Sequence, residues 1–184
     1  MAARCCILFA EGFEEIEATT VVDVLRRADV DAVMLGVSSK EVTGAHGITL
    51  RMDGLLADAA AESWDLVVLP GGMPGASTLR DDPAVQALVK AQHGAGRKVA
   101  AICAAPIALG AAGLLSGRSA TSYPGFGDQL TGATLCEDRV VVDELITTSR
   151  GPGTSLEFAL ELVRQLVGEE AAESLREAML VRGE

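Results

Sequence analysis

Short apolar runs alternate with helical patterns along this chain, and that alternation limits the fold more than any other feature. Cys5–Ala10 and Ala32–Val37 read as buried strands, Asp65–Leu69 as an apolar strand stopped by Pro70-Gly71-Gly72, and Lys98–Ile102 as another. Helical stretches lie between them. Ile16, Thr20, Val24 and Ala28 share one helical face, with Asp23 and Arg27 spaced for an i,i+4 pair. Pro83 opens a helix at its favoured first position, and Gly94–Gly96 closes it. Val42–Leu50 reads as a hairpin turning at Gly44 and Gly47, and Val140–Val142 and Leu145–Thr148 as short strands flanking a polar turn. Thr154 and Glu157 have capping-box spacing ahead of an amphipathic helix, and Glu169–Leu180 is a last helical stretch. Alternating strands and helices predict an α/β fold, a mostly parallel sheet covered by helices on both faces. With no repeat, low-complexity tract or linker, residues 1–184 are expected to form one domain.

Val99–Gly117 carries no charge and is long enough to suggest a membrane span. Pro106, Gly110, Gly113 and Gly117 punctuate it, so a buried strand followed by a buried helix is the better expectation. The formal net charge of −11 repels phosphate backbones and anionic lipids, which argues against nucleic-acid and membrane partners. The four cysteines, Cys5, Cys6, Cys103 and Cys136, include no C-x-x-C pair, and the apolar run near the N-terminus is too short for a signal-peptide core. A cytoplasmic protein with reduced thiols is expected.

In parallel α/β folds, function sits at the carboxyl ends of the strands. There, Ala101-Ile102-Cys103-Ala104-Ala105-Pro106 places a cysteine between a strand and a helix start. Small neighbours two residues to either side suit a sharp nucleophile elbow, and amides at the helix start would face the sulfur and favour its thiolate. The plain alternative for Cys103 is a small buried hydrophobe. Pro70-Gly71-Gly72-Met73-Pro74-Gly75 follows another strand, and its glycines let backbone amides approach a reacting atom. The N–H groups of Gly72 and Ala104 could together form an oxyanion hole, although a simple tight turn also accounts for the glycines. Glu11-Gly12-Phe13-Glu14-Glu15-Ile16-Glu17 follows the first strand. Four glutamates would repel a dinucleotide phosphate, so no nicotinamide or flavin cofactor is expected; separately, no metal site is expected. One carboxyl beside a reactive thiol has a use, since its protonated form donates to a thiolate. At least two of the four glutamates are expected to be solvated surface charges.

Together these stretches resemble the ThiJ/PfpI superfamily, in its branch of the Parkinson-disease-associated deglycase and bacterial relatives. Glu14-Glu15-Ile16-Glu17, Ala100–Pro106 and Thr148-Ser149-Arg150-Gly151-Pro152-Gly153-Thr154 carry the resemblance, supported by Asp65–Gly72. It implies a flavodoxin-like sandwich, usually a homodimer, with Cys103 as nucleophile, Glu17 as its carboxyl partner, and Gly72 and Ala104 as oxyanion amides. Tyr123, Ser149, Gly151, Arg27 and His46 are the further residues expected to line the site. The activities implied are cofactor-free conversion of glyoxal or methylglyoxal to hydroxy acids, removal of early glycation adducts from thiols and amines, and thiol-based protection against oxidants. The sequence departs from the branch pattern in two places. Ala104 stands where the protease-like members have His, which argues against a peptidase. Thr121-Ser122-Tyr123-Pro124 replaces a His-containing stretch, leaving Glu17 to move protons with Tyr123 as a hydrogen-bond donor. The competing readings are a non-enzymatic redox sensor or chaperone that oxidises Cys103, and a binding module with an inert core cysteine.

Glu17 is accordingly expected to be protonated near neutral pH, and Cys103 to be the most reactive thiol. His93 is expected to be exposed at a helix end. The resemblance also places His46, on the hairpin, near Cys103 of a second subunit and beside Arg27; its plain alternative is a turn residue.

Overall fold

The computed structural model describes residues 2–59 and 62–182. Its strands are β1 (Arg4–Phe9), β2 (Asp31–Gly36), β3 (Glu41–Thr43), β4 (Thr49–Arg51), β5 (Gly54–Leu55), β6 (Leu66–Leu69), β7 (Lys98–Ile102), β8 (Ser119–Ala120), β9 (Thr134–Leu135), β10 (Val140–Asp143) and β11 (Ile146–Ser149). The helices are α1 (Glu15–Arg27), α2 (Leu56–Ala59), α3 (Gly75–Asp81), α4 (Pro83–Gly94), α5 (Pro106–Ala111), α6 (Ser155–Leu166) and α7 (Glu169–Ala178). The main sheet runs β10-β11-β7-β6-β1-β2-β5, and only the β10–β11 edge pair is antiparallel. This is the flavodoxin-like arrangement, a parallel sheet between helical layers.

The strand pleat sorts the core into two halves. Cys6 and Leu8 of β1, with Val67, Leu69, Val99 and Ala101, pack against Leu79, Val85, Val89 and Ile107 from α3, α4 and α5. Their neighbours Cys5, Ile7 and Phe9, with Val68, Ala100 and Ile102, pack against Val21, Leu25, Phe158 and Leu162 from α1 and α6. Successive side chains of a strand point to opposite faces, so continuously apolar strands need cover on both. The uncharged stretch resolves into β7 and the buried helix α5. Among the described residues, no helix is long and apolar enough to cross a membrane.

Local signals account for most of the ends. Asp82 caps α4, its carboxylate accepting from the amides of Ala84 and Val85, and Pro83 occupies the first turn. The hairpin β3–β4 forms as expected, with Gly47 at a φ of 82° in its tip. Three sequence expectations are corrected. The inward face of α1 is Glu17, Ala18, Val21, Val24 and Leu25, while Ile16 is 56% exposed. Thr154 does not cap α6 with its side chain; its hydroxyl meets Ser149 and Gly151, and Glu157 pairs with Arg139 instead. His93 is half-buried, with Nε2 enclosed and without a hydrogen-bond partner.

Candidate active site at the carboxyl ends of the strands

Four parallel strands end around one point. β7 delivers Cys103, the first residue past its last, with a φ of 66°. A non-glycine residue in the left-handed region is strained, and a sharp strand-to-helix turn is where such strain is tolerated. Neighbouring backbone holds the turn: the Cys103 amide donates to the Ser149 carbonyl at 2.9 Å, and the Cys103 carbonyl accepts from the Tyr123 amide at 2.8 Å. Cys103 is 9% exposed and belongs to the apolar cluster under α1 and α6.

β1 and the turn after it deliver the carboxyl. Glu14 is the N-cap of α1, its Oε2 accepting from the Glu17 amide at 2.7 Å. The first helical turn then points the Glu17 side chain inward, fully buried. Glu17 Oε2 accepts from the Gly71 amide at 2.9 Å, and Oε1 is enclosed without a nitrogen or oxygen partner. The Glu17 carboxyl instead faces the Cys103 thiol. Gly71 has no room for a side chain, because a Cβ there would lie 2.5 Å from Glu17 Oε2 and 2.6 Å from Cys103 Cβ. Gly72, at a φ of 89°, is pressed against the backbone of residues 12–14.

The electrostatics bind Cys103 and Glu17 into one unit. Burial raises Glu17 from 4.5 to about 7, opposed by its hydrogen bonds to Cys103 and Gly71 and helped by the charge of Glu14. Burial also raises the Cys103 thiol, as does the Glu17 carboxylate, while the amides of Ala104 and Gly72 pull it down. The expectation that the helix-start amides and the adjacent carboxyl favour the thiolate is therefore corrected: burial and Glu17 outweigh the amides and push the thiol up. The sulfur ionises favourably only while Glu17 keeps its proton, because two adjacent anions in a buried site are unfavourable and the pair titrates together.

The remaining expected residues fall into three groups. Gly72, Ala104, Gly151 and Tyr123 gather around Cys103: the amides of Gly72 and Ala104 pull the thiol down, and a Cβ on Gly151 would sit 4.0 Å from Sγ and 3.2 Å from the Tyr123 ring. Ser149 contributes its carbonyl to the elbow. Its hydroxyl turns away to the Arg139 carbonyl and Thr154, so its side chain does not line the site. Arg27 and His46 lie at opposite ends of α1. Arg27 pairs with Asp23 at 2.7 Å in solvent, and ten residues of helix put it about 15 Å from Glu17 within the chain. His46 docks on the first turn, its Nδ1 2.8 Å from Glu15 Oε2 and its amide 2.7 Å from Glu15 Oε1.

The acidic stretch differs from expectation. Glu14 and Glu15 are 7% and 5% exposed, so with Glu17 three of its four glutamates are buried and only Glu11 is solvated. Ligand-bearing atoms of Glu14, Glu15 and His46 lie within 4.8 Å of one another. Both Glu15 oxygens are already taken by the His46 ring and amide, with the Ile48 amide at 3.4 Å, so this group fastens the hairpin to α1. The sequence reading missed Glu14, Glu15 and Gly71. A glutamate three residues before another at a helix start was the available signal for Glu14, obscured because Glu is an unusual cap.

A cysteine at a strained strand-to-helix turn, with a buried carboxyl against its sulfur and two amides aimed at it, defines an α/β protein built around one thiol. The DJ-1/PfpI family model matches residues 3–165, and this chain belongs to that family. It is 44% identical over 180 residues to Protein DJ-1 homolog A of Arabidopsis thaliana, covering 96% of this chain but 46% of that protein, so it spans about half that relative's length. It is 37% identical to the glutathione-independent glyoxalase DJR-1.2 of Caenorhabditis elegans, covering 92% of this chain and 91% of that one. The crystal structure of Drosophila melanogaster DJ-1beta superposes with a TM-score of 0.96 at 36% identity, covering all of both chains.

Proposed function

We propose that this protein is a cofactor-free glyoxalase or deglycase-type enzyme acting on glyoxal, methylglyoxal or their early thiol and amine adducts. The observation that carries the reading is the buried Glu17 carboxyl held against the Cys103 thiol, beside the amides of Gly72 and Ala104. The name of the Caenorhabditis elegans relative supports the substrate class.

The thiolate attacks the aldehyde carbon of methylglyoxal, forming a C–S bond, while Glu17 gives its proton to the carbonyl oxygen. The product is a hemithioacetal. The Glu17 carboxylate then removes the hydrogen from the carbon bearing sulfur as a proton, giving an enediolate, and returns it to the neighbouring carbon, while the hydroxyl proton on the first oxygen passes to the second. The first carbon is oxidised and the second reduced, leaving a thioester that water cleaves to lactate and the free thiol. The amides of Gly72 and Ala104 serve the developing oxyanion. Gly151 keeps the approach to sulfur open beside the Tyr123 ring, and in this reading the Tyr123 phenol is the hydrogen-bond donor to the substrate. We propose further that the active form is a homodimer, with His46 of one subunit facing the other's Cys103 and Arg27. Ile16 and Ile48, 56% and 54% exposed beside the Glu15–His46 contact, support an apolar interface there. Sedimentation of Ile48→Asp as a monomer is the expected check, and an unchanged dimer would remove this face.

Lactate formation from methylglyoxal, with wild type compared with Cys103→Ala, tests the activity. Turnover lost in the variant supports the enzyme. No lactate from wild type, together with selective peroxide oxidation of Cys103, would replace it with the sensor reading.

A further inference from the structure

Three hydrogen bonds close a ring beside the reactive pair. The Glu14 amide donates to the Gly71 carbonyl at 2.9 Å, the Gly71 amide to Glu17 Oε2 at 2.9 Å, and the Glu17 amide to Glu14 Oε2 at 2.7 Å. The ring fixes two buried carboxyl groups three residues apart at one helix start. A helix N-terminus favours negative charge, and the cap position satisfies an otherwise orphaned amide. Ser, Thr, Asn and Asp are the preferred caps, so the cap role alone does not select a buried glutamate at this place.

We infer that Glu14 is a positioning residue whose buried negative charge keeps the proton of the Glu17–Cys103 pair in the site. The inference deepens the proposed mechanism and rests on it for its relevance to catalysis. Glu17 is faced by Glu14 from its own helix, by Cys103 from the β7–α5 elbow, and by the Gly71 amide from the β6–α3 turn. Glu14 also faces the His46 imidazole on the hairpin, which pairs with Glu15. A second anion beside Glu17 opposes loss of the pair's first proton, whichever of the two groups releases it. When His46 is protonated, its positive charge offsets part of that effect. The proton that the chemistry needs is thus retained by a group that never touches the substrate.

Carbon-13 NMR of glutamate carboxyls reads the titration of Glu17 directly, and iodoacetamide alkylation of Cys103 against pH reads the thiol. In Glu14→Gln, which keeps an acceptor for the Glu17 amide but no charge, both midpoints are expected to move to lower pH by about one unit. Glu14→Asp, which restores the charge, should return them to within a few tenths of wild type. His46→Gln should move them upward by a smaller amount. Unmoved midpoints in Glu14→Gln, or an equal shift in Glu14→Asp, would overturn the inference. Should Glu14→Gln fail to fold, an unmoved midpoint in His46→Gln does so. Cys103 alkylating no faster than Cys5 would instead defeat the nucleophile reading, while the carboxyl shift still reports on Glu14.

Discussion

The protein carries buried thiols in two settings, and burial alone does not distinguish them. Cys5 and Cys6 sit side by side in β1, one on each face of the sheet, and desolvation raises both. Desolvation is also the largest effect at Cys103. The difference is in the backbone and the partner. Cys5 and Cys6 lie in a regular strand, and the Cys5 thiol finds only a carbonyl at 3.7 Å. Cys103 has left its strand at a positive φ, two amides point at its sulfur, and a carboxyl can hand it a proton or take one back. What sets Cys103 apart from the other buried thiols is therefore a turn and a neighbouring acid.

The sharpest way to break that contrast is to label all the thiols at once. Cys103 should react with iodoacetamide in the native state, whereas Cys5 and Cys6 must wait for global opening. For a domain of ordinary stability, that holds their rate down by at least about a thousandfold. Peptide mapping that finds Cys5, Cys6 or Cys136 labelled first would erase the distinction.

Removing the acid is the next largest change. Glu17→Gln should lower lactate formation about a hundredfold or more while leaving Cys103 able to ionise. The same variant carries a stability signature. Glu17 rises from 4.5 to about 7 on folding, so its contribution is fully present below pH 4.5 and is lost as pH climbs through about 7. Between these limits, wild type should lose on the order of 3 kcal/mol that Glu17→Gln does not lose. Denaturant titrations of both proteins at pH 5 and pH 8 give the comparison, and parallel losses would place the effect elsewhere.

Gly71→Ala attacks the geometry without touching a functional side chain. The added methyl would fall between Cys103 and Glu17, costing about 1–3 kcal/mol of stability and most of the labelling preference for Cys103. An alanine there that preserves both would show that the close approach is not required.

The smallest effect belongs to the hairpin. His46 is raised above 6.5 by Glu15, so the fastening of the hairpin to α1 is strongest below that pH and weakens as pH rises through the raised value. Amide exchange at Ile48, whose N–H also reaches Glu15, should quicken over that window and lose its pH dependence in His46→Gln.

The strands and most helices were legible because the core obeys simple periodicities. β7 spans Lys98–Ile102 as its apolar run indicates, and Asp82-Pro83 marks the start of α4. The inward face of α1 was misread for a physical reason. Glu15 and Glu17 take inward positions that apolar residues fill elsewhere, because one fastens the hairpin and the other faces the thiol. Local rules fail where a site draws on them. Cys103, Gly72, Ala104 and Gly151 could be placed from the strand ends alone, since a parallel sheet gathers those ends together. The Ser149 hydroxyl could not be, because its direction is set by Arg139 and Thr154, and short-range patterns do not specify such contacts.

The hydrogen-bond ring joins residues 54 positions apart in the chain, and the elbow amide reaches from Cys103 to Ser149. No contiguous fragment holds the pieces of the site, so it assembles only after most of the sheet has paired. Long-range closure of this kind is slow compared with helix formation. A partly folded chain would have a cysteine but no acid to share its proton and no amides around its sulfur. The pH dependence of Cys103 labelling is then also a clock for folding. During refolding it should acquire its native form in step with the last cooperative phase, later than the recovery of helical signal.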